Sequence, residues 1–149
     1  MKQALTEAHK AFELDEVPVG CVIVRDDKIV AKGHNLTEQL KDATAHAEMM
    51  AITSACAALE SRYLTGTTLY VTIEPCAMCA GAIVLARIPQ LVFGAYDIKA
   101  GACGTLFNIP EDPRLNHRVR IAPCVLDEEC ALLMQGYFQK KRIKTGAQA

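Results

Sequence analysis

Two short stretches hold residue types suited to metal chemistry. Pro75-Cys76-Ala77-Met78-Cys79 sets two thiols three residues apart, and His46-Ala47-Glu48 sets an imidazole and a carboxylate two apart. Residues three apart share one face of a helix, so both sulfurs would point the same way. A helix N-terminus favours negative charge and so favours the thiolate, the form that binds metal. Alone, the cysteine pair also fits a redox dithiol or two small buried side chains. His46 adds a third donor. Two thiolates and an imidazole suit zinc and leave its fourth tetrahedral position to water, the arrangement of a catalytic zinc. The other histidines, His9, His34 and His117, supply no evident fourth ligand. Zinc lowers the pKa of bound water to about 7. A carboxylate beside it, Glu48, can accept that proton and hand it on. Taken singly, Glu48 also fits the ordinary preference for acidic residues in a first helical turn.

These groups need elements to converge them. Residues 2–14 carry Leu5, Ala8 and Phe12 at helical spacing. Residues 19–24 and 29–32 read as strands around the turn Arg25-Asp26-Asp27-Lys28, a hairpin. Residues 33–44 are polar and read as a loop. Residues 45–59, rich in Ala and Met without Gly or Pro, predict a helix. Residues 68–73 form a β-branched strand, and residues 75–86 a helix with proline in its first turn. Residues 91–93 and 119–121 are short strands separated by a loop rich in Gly, Pro and Asn. Residues 127–141 close the chain as a helix with Leu132, Leu133, Met134 and Tyr137 inward. Strands interleaved with helices predict a three-layer α-β-α sandwich. The opening hairpin makes its five-stranded sheet mixed.

Composition narrows the class. The 149 residues, 51% apolar and 22% charged, predict one soluble domain, residues 1–149. No apolar run approaches the roughly 20 residues of a membrane helix. No secretory pattern opens the sequence, so a cytoplasmic location is expected. Seven cysteines, an odd number, argue against a disulfide framework. Net charge is −1, which announces no nucleic-acid partner. Yet Lys140, Lys141, Arg142 and Lys144 cluster beyond the last acidic residue, Glu129. That cluster fits either a solvated helix end or a phosphate-binding patch.

The His-x-Glu and Pro-Cys-x-x-Cys arrangement resembles the zinc deaminase signature, and the order of elements resembles the cytidine deaminase-like fold. Longer stretches are similar to the bacterial tRNA-specific adenosine deaminases. They include Glu16-Val17-Pro18-Val19-Gly20, Gly33-His34-Asn35, residues 42–48, residues 69–76, residues 92–97, residues 101–106 and Asn116-His117-Arg118-Val119. The similarity runs from the first helix to about Arg142. One departure is Ala43, where that family usually has proline; no ligand is lost.

The resemblance implies hydrolytic conversion of adenosine to inosine at the wobble position of a tRNA anticodon, usually of an arginine tRNA. His46, Cys76 and Cys79 would hold one Zn²⁺ per chain, with Glu48 as proton shuttle. Asn35 and the Ala47 amide would bind the base and Val19 would pack beside it. Asp97 and Asn116 would touch the RNA near the flipped nucleotide. Of the adjacent Tyr137 and Phe138, Phe138 is the ring implied to face RNA, although core packing remains open for it. A homodimer is implied as well, and the apolar stretch 80–86 fits that or simple burial. Three rivals remain. One is a deaminase of a free base or nucleoside, of guanine or cytosine type. Another is an RNA-binding module with a structural zinc. The third, a redox protein, leaves His46 and Glu48 unexplained.

Overall fold

The computed structural model describes residues 1–146; residues 147–149 of the expected domain lie outside the described residues. The chain runs α1 (Lys2–Glu13), β1 (Gly20–Arg25), β2 (Lys28–His34), α2 (Thr37–Leu40), α3 (Ala47–Ala58), β3 (Thr67–Ile73), α4 (Ala77–Leu85), β4 (Gln90–Ala95), β5 (Arg120–Ala122) and α5 (Asp127–Gly146). The strands form one sheet in the order β2-β1-β3-β4-β5. β1 is antiparallel to both β2 and β3, whereas β3, β4 and β5 run parallel.

Adjacent residues of a strand point to opposite faces. In β3, Val71 and Thr72 are both buried, so helices cover the sheet on both sides. α1 and α5 touch each other and the sheet, and α3 packs on β1 and β2 beside α4. Between them lies a core of Ile23, Leu69, Ile83, Leu91 and Phe93. Gly33 permits one critical approach. A Cβ there would stand 2.5 Å from the Ala47 carbonyl oxygen and 2.7 Å from the Ala51 nitrogen. Its absence lets β2 lie directly against α3, the helix that carries Ala47 and Glu48. At the hairpin, Asp26 and Asp27 take φ of 49° and 59°, the left-handed pair that a two-residue turn between twisted strands requires.

Four details differ from the sequence reading. A short helix, α2, forms inside the expected loop. His46 and Cys76 precede their helices as extended N-cap residues instead of lying in the first turn; Cys76 is held extended by a bridge to Gly101. α5 reaches Gly146. Leu132, expected inward, is 66% exposed, while Cys130 and Tyr137 are buried. The helical period carries the inner face through 130, 133, 134 and 137, which turns residue 132 outward. Among the described residues no helix is long and apolar enough to cross a membrane.

Candidate active site

The N-termini of α3 and α4 meet, and their cap residues bring the donors together. His46 Nδ1 lies 3.6 Å from the Sγ of Cys76 and 3.6 Å from that of Cys79. All three potential ligand atoms fall within 4.8 Å of one another. Tetrahedral bonds of about 2.3 Å to sulfur and about 2.0 Å to nitrogen require an N···S separation of about 3.6 Å. The donor set therefore has the spacing of a zinc site. Its protonation fits as well. A hydrogen bond from the Cys79 thiol, aided by His46, holds the Cys76 thiol down to about 3. Cys79 retains its own proton, its pKa raised by the same bond. His46 is raised by its bond to Cys76. One thiolate and one polarised imidazole thus already stand side by side.

Glu48, in the first turn of α3, is 3% exposed. Burial pushes its carboxyl up to about 7, so it can exchange a proton near neutral pH. Ala47 opens α3, where an amide has no intrahelical acceptor. His46, Ala47, Glu48 and Cys76 line a cavity of about 590 Å³ together with Val19 and Asn35. Asp97 and Phe138 complete its wall. Phe138 is 49% exposed while its neighbour Tyr137 is buried, with a hydroxyl donating to the Asp15 carbonyl at 3.1 Å. A second hollow of about 1000 Å³ shares Tyr96, Lys99 and Phe138 with the first and extends to Lys141 and Arg142. Asn116 stands apart, exposed on the loop before β5 and outside the cavity lining.

Sequence reasoning missed two buried carboxylates that brace the cavity walls, Glu74 and Glu16. Glu74, 1% exposed, precedes Pro75 and accepts four hydrogen bonds. They come from the amides of Asp97 at 3.1 Å, Cys103 at 3.0 Å and Thr105 at 3.0 Å, and from the Thr105 hydroxyl at 2.5 Å. Gly101 leaves room for that carboxylate, which a Cβ would strike. The 97–105 loop is thereby fastened to the strand end that bears Cys76. Glu16 serves the opposite wall in a similar way. Both belong to the stretches that carry the family resemblance, the one signal available. Nothing in their residue type reveals burial, since glutamate is ordinarily exposed.

Fold and donor set together define the class, a zinc-binding deaminase of the cytidine deaminase-like type. The profile of the cytidine and deoxycytidylate deaminase zinc-binding region matches residues 1–95. The tRNA-specific adenosine deaminase of Bacillus subtilis (strain 168) is 48% identical over 147 residues, covering 99% of this chain and 91% of that one. That of Aquifex aeolicus (strain VF5) is 51% identical over 142 residues, covering 95% and 93%. A solved structure from a study of A-to-I editing by tRNA:A34 deaminases at the wobble position superposes with a TM-score of 0.86 at 44% identity, covering 89% of this chain and 96% of that chain. The chain belongs to the family of the tRNA-specific adenosine deaminases.

Proposed function

We propose that this chain hydrolyses adenosine to inosine at the wobble position of a tRNA anticodon, an arginine tRNA being the expected substrate. The observation that carries the reading is the His46, Cys76 and Cys79 donor set joined to Glu48 in one cavity, whose 590 Å³ suits a single base. Relatives named for this activity, similar over nearly the whole chain, support it.

One zinc ion per chain, held by His46, Cys76 and Cys79, would supply the Lewis acidity that lowers the pKa of a water to about 7. Glu48 takes a proton from the water that adds to C6 of adenine and delivers it to N1. It then moves the remaining hydroxyl proton from the oxygen on C6 to the departing amine, so that water and adenosine leave as inosine and ammonia. The Ala47 amide and the Asn35 side chain orient the base, and Val19 packs against its face. A paired base cannot reach such a cavity, whereas an anticodon-loop base splays out at small cost. Phe138 stacks on RNA at the mouth, and Asp97 and Asn116 contact it near the flipped nucleotide. The hollow bordered by Lys99 and Arg142 offers the phosphate backbone a cationic path, so affinity should fall steeply with salt.

The enzyme is taken to be one domain, cytoplasmic and homodimeric. Exposed Leu85 on the apolar α4, 77% accessible, supports the dimer. The deciding experiment is inosine formation in an arginine-tRNA anticodon stem-loop bearing a wobble adenosine, with purified zinc-loaded protein. Inosine at that position alone is the expected result. None, with zinc bound and the protein folded, would redirect the reading to free bases, guanine first.

A further inference from the structure

Asn35 lies in the cavity lining and is itself 5% exposed, so the direction of its amide decides what it can bind. An amide offers two N–H donors on one side and an acceptor on the other, and its neighbours determine which side faces where. Here the neighbours leave one choice. Asn35 Nδ2 donates to Glu16 Oε2 at 3.2 Å and to the Thr37 hydroxyl at 3.2 Å. The Thr37 hydroxyl in turn donates to Glu16 Oε2 at 3.2 Å. Glu16 is fully buried and also accepts the backbone amides of Glu38 at 3.1 Å and Gln39 at 2.7 Å. Every group around this carboxylate is a donor to it, and backbone amides cannot reverse. Turning the Asn35 amide over would set its carbonyl oxygen against the carboxylate oxygen, two acceptors facing each other out of water. The Asn35 Nδ2 is thus held toward Glu16 and Thr37. Its Oδ1 has no partner among the described residues and is not sealed from the cavity.

We propose that Glu16 is a positioning residue, which through Thr37 and its own Oε2 locks the Asn35 amide with Nδ2 toward the carboxylate and Oδ1 free to accept a hydrogen bond from the substrate. The substrate group that meets Oδ1 must then be an N–H or an O–H, such as an exocyclic amine or a ribose hydroxyl. The proposal rests on the reading of this cavity as the substrate site. The buried carboxylate also pins the start of α2, so the wall that carries Asn35 and the turn that follows it are organised by one side chain.

The test is a double-mutant cycle on the zinc-loaded full chain with the anticodon stem-loop substrate. Asn35→Ala should raise KM on the order of tenfold, the worth of one hydrogen bond to a substrate. Glu16→Gln brings an N–H₂ into the cluster and should raise KM similarly in the wild-type background. In the Asn35→Ala background it should add little, because its target is gone. Thr37→Val, which leaves the backbone bonds to Glu16 in place, should show the same dependence at a few-fold level and serves if Glu16→Gln does not fold. Full additivity in both backgrounds would mark Glu16 as a structural support only and overturn the proposal. A second readout needs no turnover. In the free protein the Asn35 side-chain N–H₂ protons should exchange slowly by NMR, and rapidly in Glu16→Gln. Fast exchange in the wild type would overturn the locked amide whatever the substrate is. Slow exchange with a KM indifferent to Asn35→Ala would uphold the lock and overturn the substrate contact.

Discussion

Glu74 Oε2 accepts the amide of Asp97 at 3.1 Å, so the carboxylate two residues ahead of Cys76 holds the far wall of the cavity that Glu48 lines. The loop it fastens returns to the same place: the Ala102 amide donates to the Pro75 carbonyl at 2.9 Å. Donor site and cavity wall are therefore one hydrogen-bonded unit. Glu74→Ala would leave the buried Cys103 amide without an acceptor, at a cost of about 1–3 kcal/mol, and would release the less buried amides of Asp97 and Thr105. The expected outcome is a loss of about 2–4 kcal/mol in urea unfolding, with faster hydrogen exchange at Cys103 and Thr105. Unchanged exchange at those two amides would refute the fastening role.

Metal binding and proton transfer should separate by mutation. His46→Ala and Cys79→Ser should each lose zinc, read by elemental analysis, and with it all turnover. Glu48→Gln should keep full zinc and near-normal KM while kcat falls on the order of 10²–10⁴-fold, the range expected of a general acid–base group. Chelation should lower the Tm of the wild type and of Glu48→Gln but leave His46→Ala unmoved, since only a bound metal stabilises. Near-normal activity in Glu48→Gln would end its assigned role.

The adjacent aromatics of α5 should behave oppositely. Tyr137 is buried and its ring meets those of Phe12 and Phe138 edge-on at 6.1 and 5.3 Å. Tyr137→Ala should cost about 3–5 kcal/mol of stability. Phe138 is half exposed, so Phe138→Ala should leave Tm within about 2 °C. It should nevertheless weaken RNA binding by about 1–3 kcal/mol, the worth of one stacked base. Filter-binding titrations beside thermal melts give both numbers.

Glu7 makes stability depend on acidity. Its carboxylate, 3% exposed, pairs with Lys10 at 2.7 Å and with His34 at 3.0 Å. Burial pushes the carboxyl up, but the hydrogen bonds from Lys10 and His34 outweigh it and hold the group below its ordinary 4.5. A folded-state pKa below the unfolded one means stabilisation present above about 4.5 and lost as pH falls through the folded value. Wild type should therefore lose Tm between about pH 5 and pH 3 more steeply than Glu7→Gln. Parallel melting curves across that range would show that Glu7 carries none of the effect.

Much of this molecule is legible in order of residues alone, because the relevant signals are local. The three candidate metal donors and Glu48 declare themselves by type and spacing. The hairpin declares itself through alternating strands around Asp26-Asp27, and the three-layer sandwich through alternating strands and helices. Local patterns also set their own limits. His46 and Cys76 fall in the helical pattern, yet cap geometry and the bridge to Gly101 hold them extended. Leu132 carries the hydrophobicity of a core residue but lies on the wrong arc of α5. Which carboxylates are buried was decided only by tertiary structure. Glu16 meets the amides of residues 38 and 39, and Glu74 those of residues 97 to 105. A buried charge survives only where distant donors converge on it, and no periodicity records a convergence between segments more than twenty residues apart.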